Sequence, residues 1–154
     1  MTEVDTNILT TPIWTTVVYP LAPSEANVET YKSLIEGDKV LLLGCTKLLL
    51  PLATKALDLV ARYPDPKIEI GDWLDTDEYY NTVLLDGGLA LDEELCNNLL
   101  THYSAHCKRF VSRCFTKKHP DMKIATYFPD PRDFIIVPHV YSRSEHYMFC
   151  VWDF

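Results

Sequence analysis

The chain has 154 residues, the size of one ordinary domain, and its 47% apolar and 23% charged residues suit a packed core and exclude wholesale disorder. Acidic residues outnumber basic ones by 22 to 14, a net charge of −8, which argues against gripping a nucleic-acid backbone, where affinity depends on Lys and Arg. The five cysteines, Cys45, Cys96, Cys107, Cys114 and Cys150, include no CxxC pair and no zinc spacing, and they read as reduced thiols of a cytoplasmic protein. The acidic start, Met-Thr-Glu-Val-Asp, is unlike a signal peptide. No apolar stretch reaches the length of a membrane span. No repeat or linker divides the chain, so residues 1–154 are expected to form one domain.

Residues 1–23 read as irregular, with Pro20 and Pro23 opposing regular structure. Ser24 caps a predicted helix over about 24–36, with Val28, Tyr31, Leu34 and Ile35 at helical spacing and Gly37 as its stop. Lys39 to Gly44 is a short apolar run ending in Gly, the pattern of a buried parallel strand. Residues 48–62 predict a helix that buries Leu49, Leu52, Ala53, Ala56, Leu59 and Val60, with Pro51 in its first turn. Lys67 to Trp73 and Thr82 to Leu85 read as strands, the latter ending at Asp86-Gly87-Gly88. Asp92 is placed to cap a helix reaching about Cys107. Arg109–Phe115, Phe134–Val137 and Tyr147–Trp152 complete the strands. The alternation predicts an α/β fold with a parallel sheet, closed by an antiparallel, hairpin-like pair.

The motifs follow an order that resembles class I S-adenosylmethionine-dependent methyltransferases. Val40-Leu-Leu-Leu-Gly-Cys-Thr46 resembles the family's first motif, between a strand and a helix. Gly71-Asp72-Trp73 resembles the acidic loop that faces the adenine, and Tyr80-Asn-Thr-Val-Leu-Leu-Asp-Gly87 the fourth-strand motif. Arg109–Phe115 is similar to the fifth strand, and residues 20–31 to the helix that leads into motif one. The resemblance covers roughly residues 20–115 and implies a three-layer Rossmann-like fold. It also implies S-adenosylmethionine as cofactor and methyl transfer to an acceptor, a small molecule or a protein. Of the two, a small-molecule acceptor is expected. No catalytic residue is assigned.

The chain departs from the family pattern twice. Lys47 and Leu48 stand where the family carries further glycines. Only Tyr63-Pro-Asp-Pro66 separates the first predicted crossover helix from the strand ending in Gly71-Asp72. One strand–helix unit is therefore expected to be missing, including the strand whose end carries the family's ribose-binding acid. The mainly parallel sheet should have about six strands, with Lys67–Ile70 directly beside Val40–Leu43 and an antiparallel C-terminal strand.

The resemblance assigns the cofactor to Gly44, Cys45, Thr46, Asp72, Trp73, Asp86 and Gly87. The plain alternatives are a strand-to-helix turn at Gly44, a surface Asp72, a Trp73 packed at the sheet edge, and a turn-capping Asp86. Asp86 is also placed to act as a polar contact or general base. Trp14 and Tyr19 are candidates to close over the substrate, or to cover an open side of the sheet. His102 and His106 have an i, i+4 spacing that can bind metal. No third ligand accompanies them, so a helix face is the reading taken and no metal is expected. The second functional reading is a catalytically inactive scaffold on the same fold. An open sheet edge needs cover, and a homodimer is one remedy.

Overall fold

The computed structural model describes residues 23–60, 64–87, 93–115, 134–144 and 147–154. Trp14, Tyr19, Gly88 and Asp92 lie outside them. Helix α1 spans Glu25–Leu34 and opens on a capping box. The Ser24 hydroxyl accepts the Asn27 N–H at 3.2 Å, and the Asn27 side-chain oxygen accepts the Ser24 N–H at 2.9 Å. This satisfies two of the N–H groups that a helix start leaves open. Tyr31 and Leu34 point into the core, and Gly37 follows with φ +73°, where only glycine is unstrained.

Among the described residues the sheet has seven strands. They are β1 Val40–Leu43, β2 Lys55–Asp58, β3 Ile68–Ile70, β4 Tyr80–Asp86, β5 Cys107–Phe115, β6 His139–Arg143 and β7 Tyr147–Asp153. Their order is β3-β2-β1-β4-β5-β7-β6. β1 to β5 pair in parallel, and β7 is antiparallel to both β5 and β6. The antiparallel close and the mainly parallel sheet agree with the sequence reading. Helix α2, Glu93–Ser104, packs on one face with Leu99, Leu100 and Tyr103. Helix α1 covers the other, where Tyr31 and Leu34 meet Leu42, Leu84, Val111 and Phe149. Helices thus flank the sheet on both sides, the three layers that the resemblance implies.

The sheet has seven strands rather than about six, and the strand thought missing is β2. The predicted helix over 48–62 is instead a single 3₁₀ turn, Leu50–Leu52, followed by β2. Pro51 sits at the start of that turn and cannot donate to a longer helix. Ala53 is already extended, and the Thr54 hydroxyl both accepts the Val40 N–H and donates to the Val40 carbonyl. That double bond starts the parallel ladder with β1. Leu49, Ala53 and Ala56 do share one core face, as a helix would place them, so periodicity alone did not separate the two structures. Consequently β3 pairs with β2 and not with β1. The crossover helix is what has been reduced, while the strand remains.

A smaller correction concerns Phe134–Val137, which is a bent segment leading into β6. Its backbone is held by side chains and not by a ladder. Asn97 accepts the Ile135 N–H, and Trp152 donates its indole N–H to the Ile136 carbonyl. Pro138, without an N–H, separates it from the strand.

Candidate cofactor site

The ends of β1, β2, β3 and β4 meet at the carboxyl edge of the parallel strands, where open α/β sheets place their ligands. Gly44 follows β1 at φ +95°. Its N–H donates to the Leu57 carbonyl at 2.8 Å, and the Trp73 indole N–H donates to the same oxygen at 3.0 Å. One carbonyl of β2 therefore holds both the loop after β1 and the loop after β3. Cys45 comes next, and its Sγ donates to Oδ2 of Asp58 at 3.0 Å. Asp58 is the last residue of β2, only 3% exposed, and its Oδ1 accepts the Leu59 N–H at 2.7 Å. The Thr46 carbonyl accepts from the N–H groups of both Leu49 and Leu50, turning the chain into the 3₁₀ segment.

The sequence-predicted residues divide here. Gly44, Cys45 and Thr46 lie together at the loop after β1. Asp72 is exposed, and its Oδ1 accepts the Leu74 N–H in a local turn. Trp73 lies in the core on the α2 side, where the Tyr103 hydroxyl donates to its carbonyl. Its indole braces the loop from below. Gly87 directly follows β4 at φ +75° and donates its N–H to the Arg113 carbonyl.

Asp86 belongs to a buried polar network. Arg113 donates to its two carboxylate oxygens from Nε at 2.9 Å and Nη2 at 3.0 Å, and the Tyr31 hydroxyl donates at 2.6 Å. Arg113 Nη1 reaches the side-chain oxygen of Asn27, whose amide donates to the Tyr147 hydroxyl. Asp86 and Arg113 are each 2% exposed, so the pair is largely removed from water. Burial opposes the charge on Arg113, but the charge and hydrogen bonds of Asp86 outweigh it and raise its pKa. Burial, then the Asp86 carboxylate, push the Tyr31 phenol well above its ordinary range. The network joins α1, β4, β5 and β7 at the end of β4.

Asp58 and Arg113 escaped the sequence reading. Lys55-Ala-Leu-Asp58 carries the signal of a strand, a short apolar step ended by an acid after Pro51 and Thr54. Arg113 between Val111 and Cys114 is a cation within an apolar strand, and such a residue needs a buried acid. His102 and His106 stack at 4.3 Å, and their ring nitrogens face the carbonyls of Thr76 and His102. Among the described residues no group of three or more His, Cys, Asp or Glu converges as a metal site. In the same residues no helix is long and apolar enough to cross a membrane.

The arrangement presents a carboxylate beside a glycine loop at the end of a parallel sheet. A carboxylate in that position can accept two hydroxyl hydrogen bonds, as a diol requires. No family model matches the sequence, and no curated protein gives a significant match. Solved structures do match. The DhpI complex with S-adenosylhomocysteine aligns at TM-score 0.61 with 15% identity, over 97% of this chain and 96% of that one. Magnesium protoporphyrin IX methyltransferase from Synechocystis PCC 6803, with bound S-adenosylmethionine, aligns at 0.58 with 11% identity over 90% and 82%. The glycopeptide N-methyltransferase MtfA, with S-adenosylhomocysteine, aligns at 0.50 with 14% identity over 83% and 59%.

Proposed function

We propose that this chain, which has the class I S-adenosylmethionine-dependent methyltransferase fold, binds S-adenosylmethionine and transfers its methyl group to a small-molecule acceptor. The observation that carries the reading is Asp58, a carboxylate at the end of β2 within 3.0 Å of the Cys45 thiol in the loop after β1. In this reading Asp58 takes the ribose hydroxyls, and Gly44, Cys45 and Thr46 cradle the methionyl part. Asp72 lies at the adenine side, with Trp73 bracing its loop. Gly87 borders the donor end. The cofactor supplies a methyl group on a sulfonium sulfur, open to direct displacement by a nucleophile.

The protein's own part is then positioning, which is the main requirement of a direct displacement. Asp86 already accepts from Arg113 and Tyr31. Its role in this reading is to hold the Gly87 turn in place rather than to take a proton. The similar magnesium protoporphyrin IX methyltransferase and glycopeptide N-methyltransferase support a small-molecule acceptor. The whole chain acts as one domain. A cytoplasmic setting is supported by five buried cysteines, none in a disulfide. A homodimer is proposed because β3 and β6 end the described sheet order and sheet edges call for cover; sedimentation velocity showing only monomer would remove that part.

Calorimetric titration with S-adenosylmethionine and S-adenosylhomocysteine tests the reading. Saturable binding is expected, weakened by about 10- to 100-fold in Asp58→Asn, the loss of hydrogen bonds to a charged acceptor. A folded protein that gives no saturable heat with either ligand overturns it and leaves the scaffold reading.

A further inference from the structure

The carboxylate assigned to the ribose is nearly closed off by the chain around it. Asp58 is 3% exposed and Cys45 is 5% exposed. Oδ1 of Asp58 accepts the N–H of its own neighbour Leu59, a bond that moves with the residue. Oδ2 accepts the Cys45 thiol at 3.0 Å, a bond that crosses from the loop after β1 to the end of β2. A ligand hydroxyl aimed at Oδ2 therefore meets a donor that the chain itself already supplies.

The backbone on both sides of Cys45 is pinned. The Gly44 N–H donates to the Leu57 carbonyl at 2.8 Å, and the Thr46 carbonyl accepts the Leu49 and Leu50 N–H groups at 3.1 Å each. The Leu57 carbonyl also accepts the Trp73 indole N–H, which ties the loop to the segment after β3. Shifting the loop as a body would disrupt these bonds, whereas turning the Cys45 side chain leaves them in place. That side chain turns about one staggered torsion. A thiol is a weak donor, and a carboxylate partner strengthens its bond. Such a bond holds the carboxylate and still yields to hydroxyl donors.

We propose that Cys45 sets the affinity of the cofactor site by competing for Asp58, and that a ribose hydroxyl binds by turning the thiol aside. The proposal rests on the cofactor reading of Asp58. The bond to the ribose then replaces one that the chain makes already, so the net gain is smaller than with no donor at position 45.

The test is calorimetric titration of S-adenosylhomocysteine into the native protein, Cys45→Ala and Cys45→Ser, with urea unfolding to show that each variant is folded. Cys45→Ala removes the competing donor and should tighten binding about 3- to 10-fold, the net worth of one hydrogen bond. Cys45→Ser keeps a donor to the carboxylate and should give no gain. When Asp58 is already Asn, the gain from Cys45→Ala should shrink, because both changes act on one bond. A purely structural Cys45 predicts the opposite order, with Ala the weaker binder. Native binding that Asp58→Asn weakens, but that Cys45→Ala leaves unchanged or weakens, overturns this proposal and leaves the cofactor reading standing. So does an equal gain in Cys45→Ser, which marks relief of packing. No saturable heat in either the native protein or Cys45→Ala overturns both.

Discussion

Arg113 and Asp86 are fully formed partners in a buried setting, so the loss of either leaves an unpaired charge. Arg113→Met should destabilise the fold by about 3–5 kcal/mol, read from urea unfolding; a cost below 1 kcal/mol would show that the network is not closed as described. Gly37 makes a second residue-scale case. At φ +73° a side chain is strained, and an added Cβ would lie 2.3 Å from Cγ of Asn81. Asn81 cannot easily yield, because its side-chain oxygen accepts the Lys39 N–H at the entry to β1. Gly37→Ala should cost more than about 1 kcal/mol, and an unchanged unfolding midpoint would contradict this geometry. Both features were half legible. Gly37 announces itself as a helix stop, whereas its clash with a residue of β4 depends on a contact across the fold.

At the scale of the element, β2 shows how a short segment chooses its structure. Residues 49–56 have an apolar spacing that suits a helix, yet they bury the same side chains as a turn plus a strand. The choice is made by Pro51 and by Thr54, which bonds both backbone groups of Val40. Thr54→Val keeps the shape and removes both bonds. It should cost about 1–3 kcal/mol, since the Val40 N–H loses a partner, and should speed amide exchange at Ala56 and Leu57. Unchanged exchange there would mean that the ladder does not depend on Thr54. Helix α1 was the easier reading, because Ser24, a polar first turn and a stop at Gly37 are local signals. The segment before β6 was harder: Ile135 and Val137 have strand-forming side chains but are exposed, and Asn97 and Trp152 decide their course.

For the molecule as a whole, charge linkage predicts how stability follows pH. Burial, and next the charge of His106, lower the His102 pKa in the folded state. The unfolded chain then binds this proton more readily, so its contribution to stability is present above about pH 6.5. It falls as pH drops through that value toward the lower folded pKa. Glu78 acts in a more acidic window. Hydrogen bonds from Lys55, then Lys39 and Tyr80, hold it down to about 2. Its contribution is present above about 4.3 and is lost as pH falls toward the folded value. Urea midpoints should decline between about pH 7 and 5 in the native protein, and this slope should shrink in His102→Gln. An identical slope in that variant would remove His102 as its source.

The sequence by itself determined the class of this protein: alternating apolar runs, punctuated by Gly44, Gly71 and Gly87, specify strands and crossovers whatever the contacts between them. It also determined the loop after β1 and the ends of β4 and β5, because each signal lies within a few neighbouring residues. Tertiary structure alone decided that residues 55–58 join the sheet, because a four-residue run has no period of its own and takes its form from β1 and β3. It alone brought Asp58 to Cys45, 13 residues away, and Asp86 to Arg113, 27 residues away. Such pairs are set by which strands lie side by side, a choice made by burying the central strands between the helices.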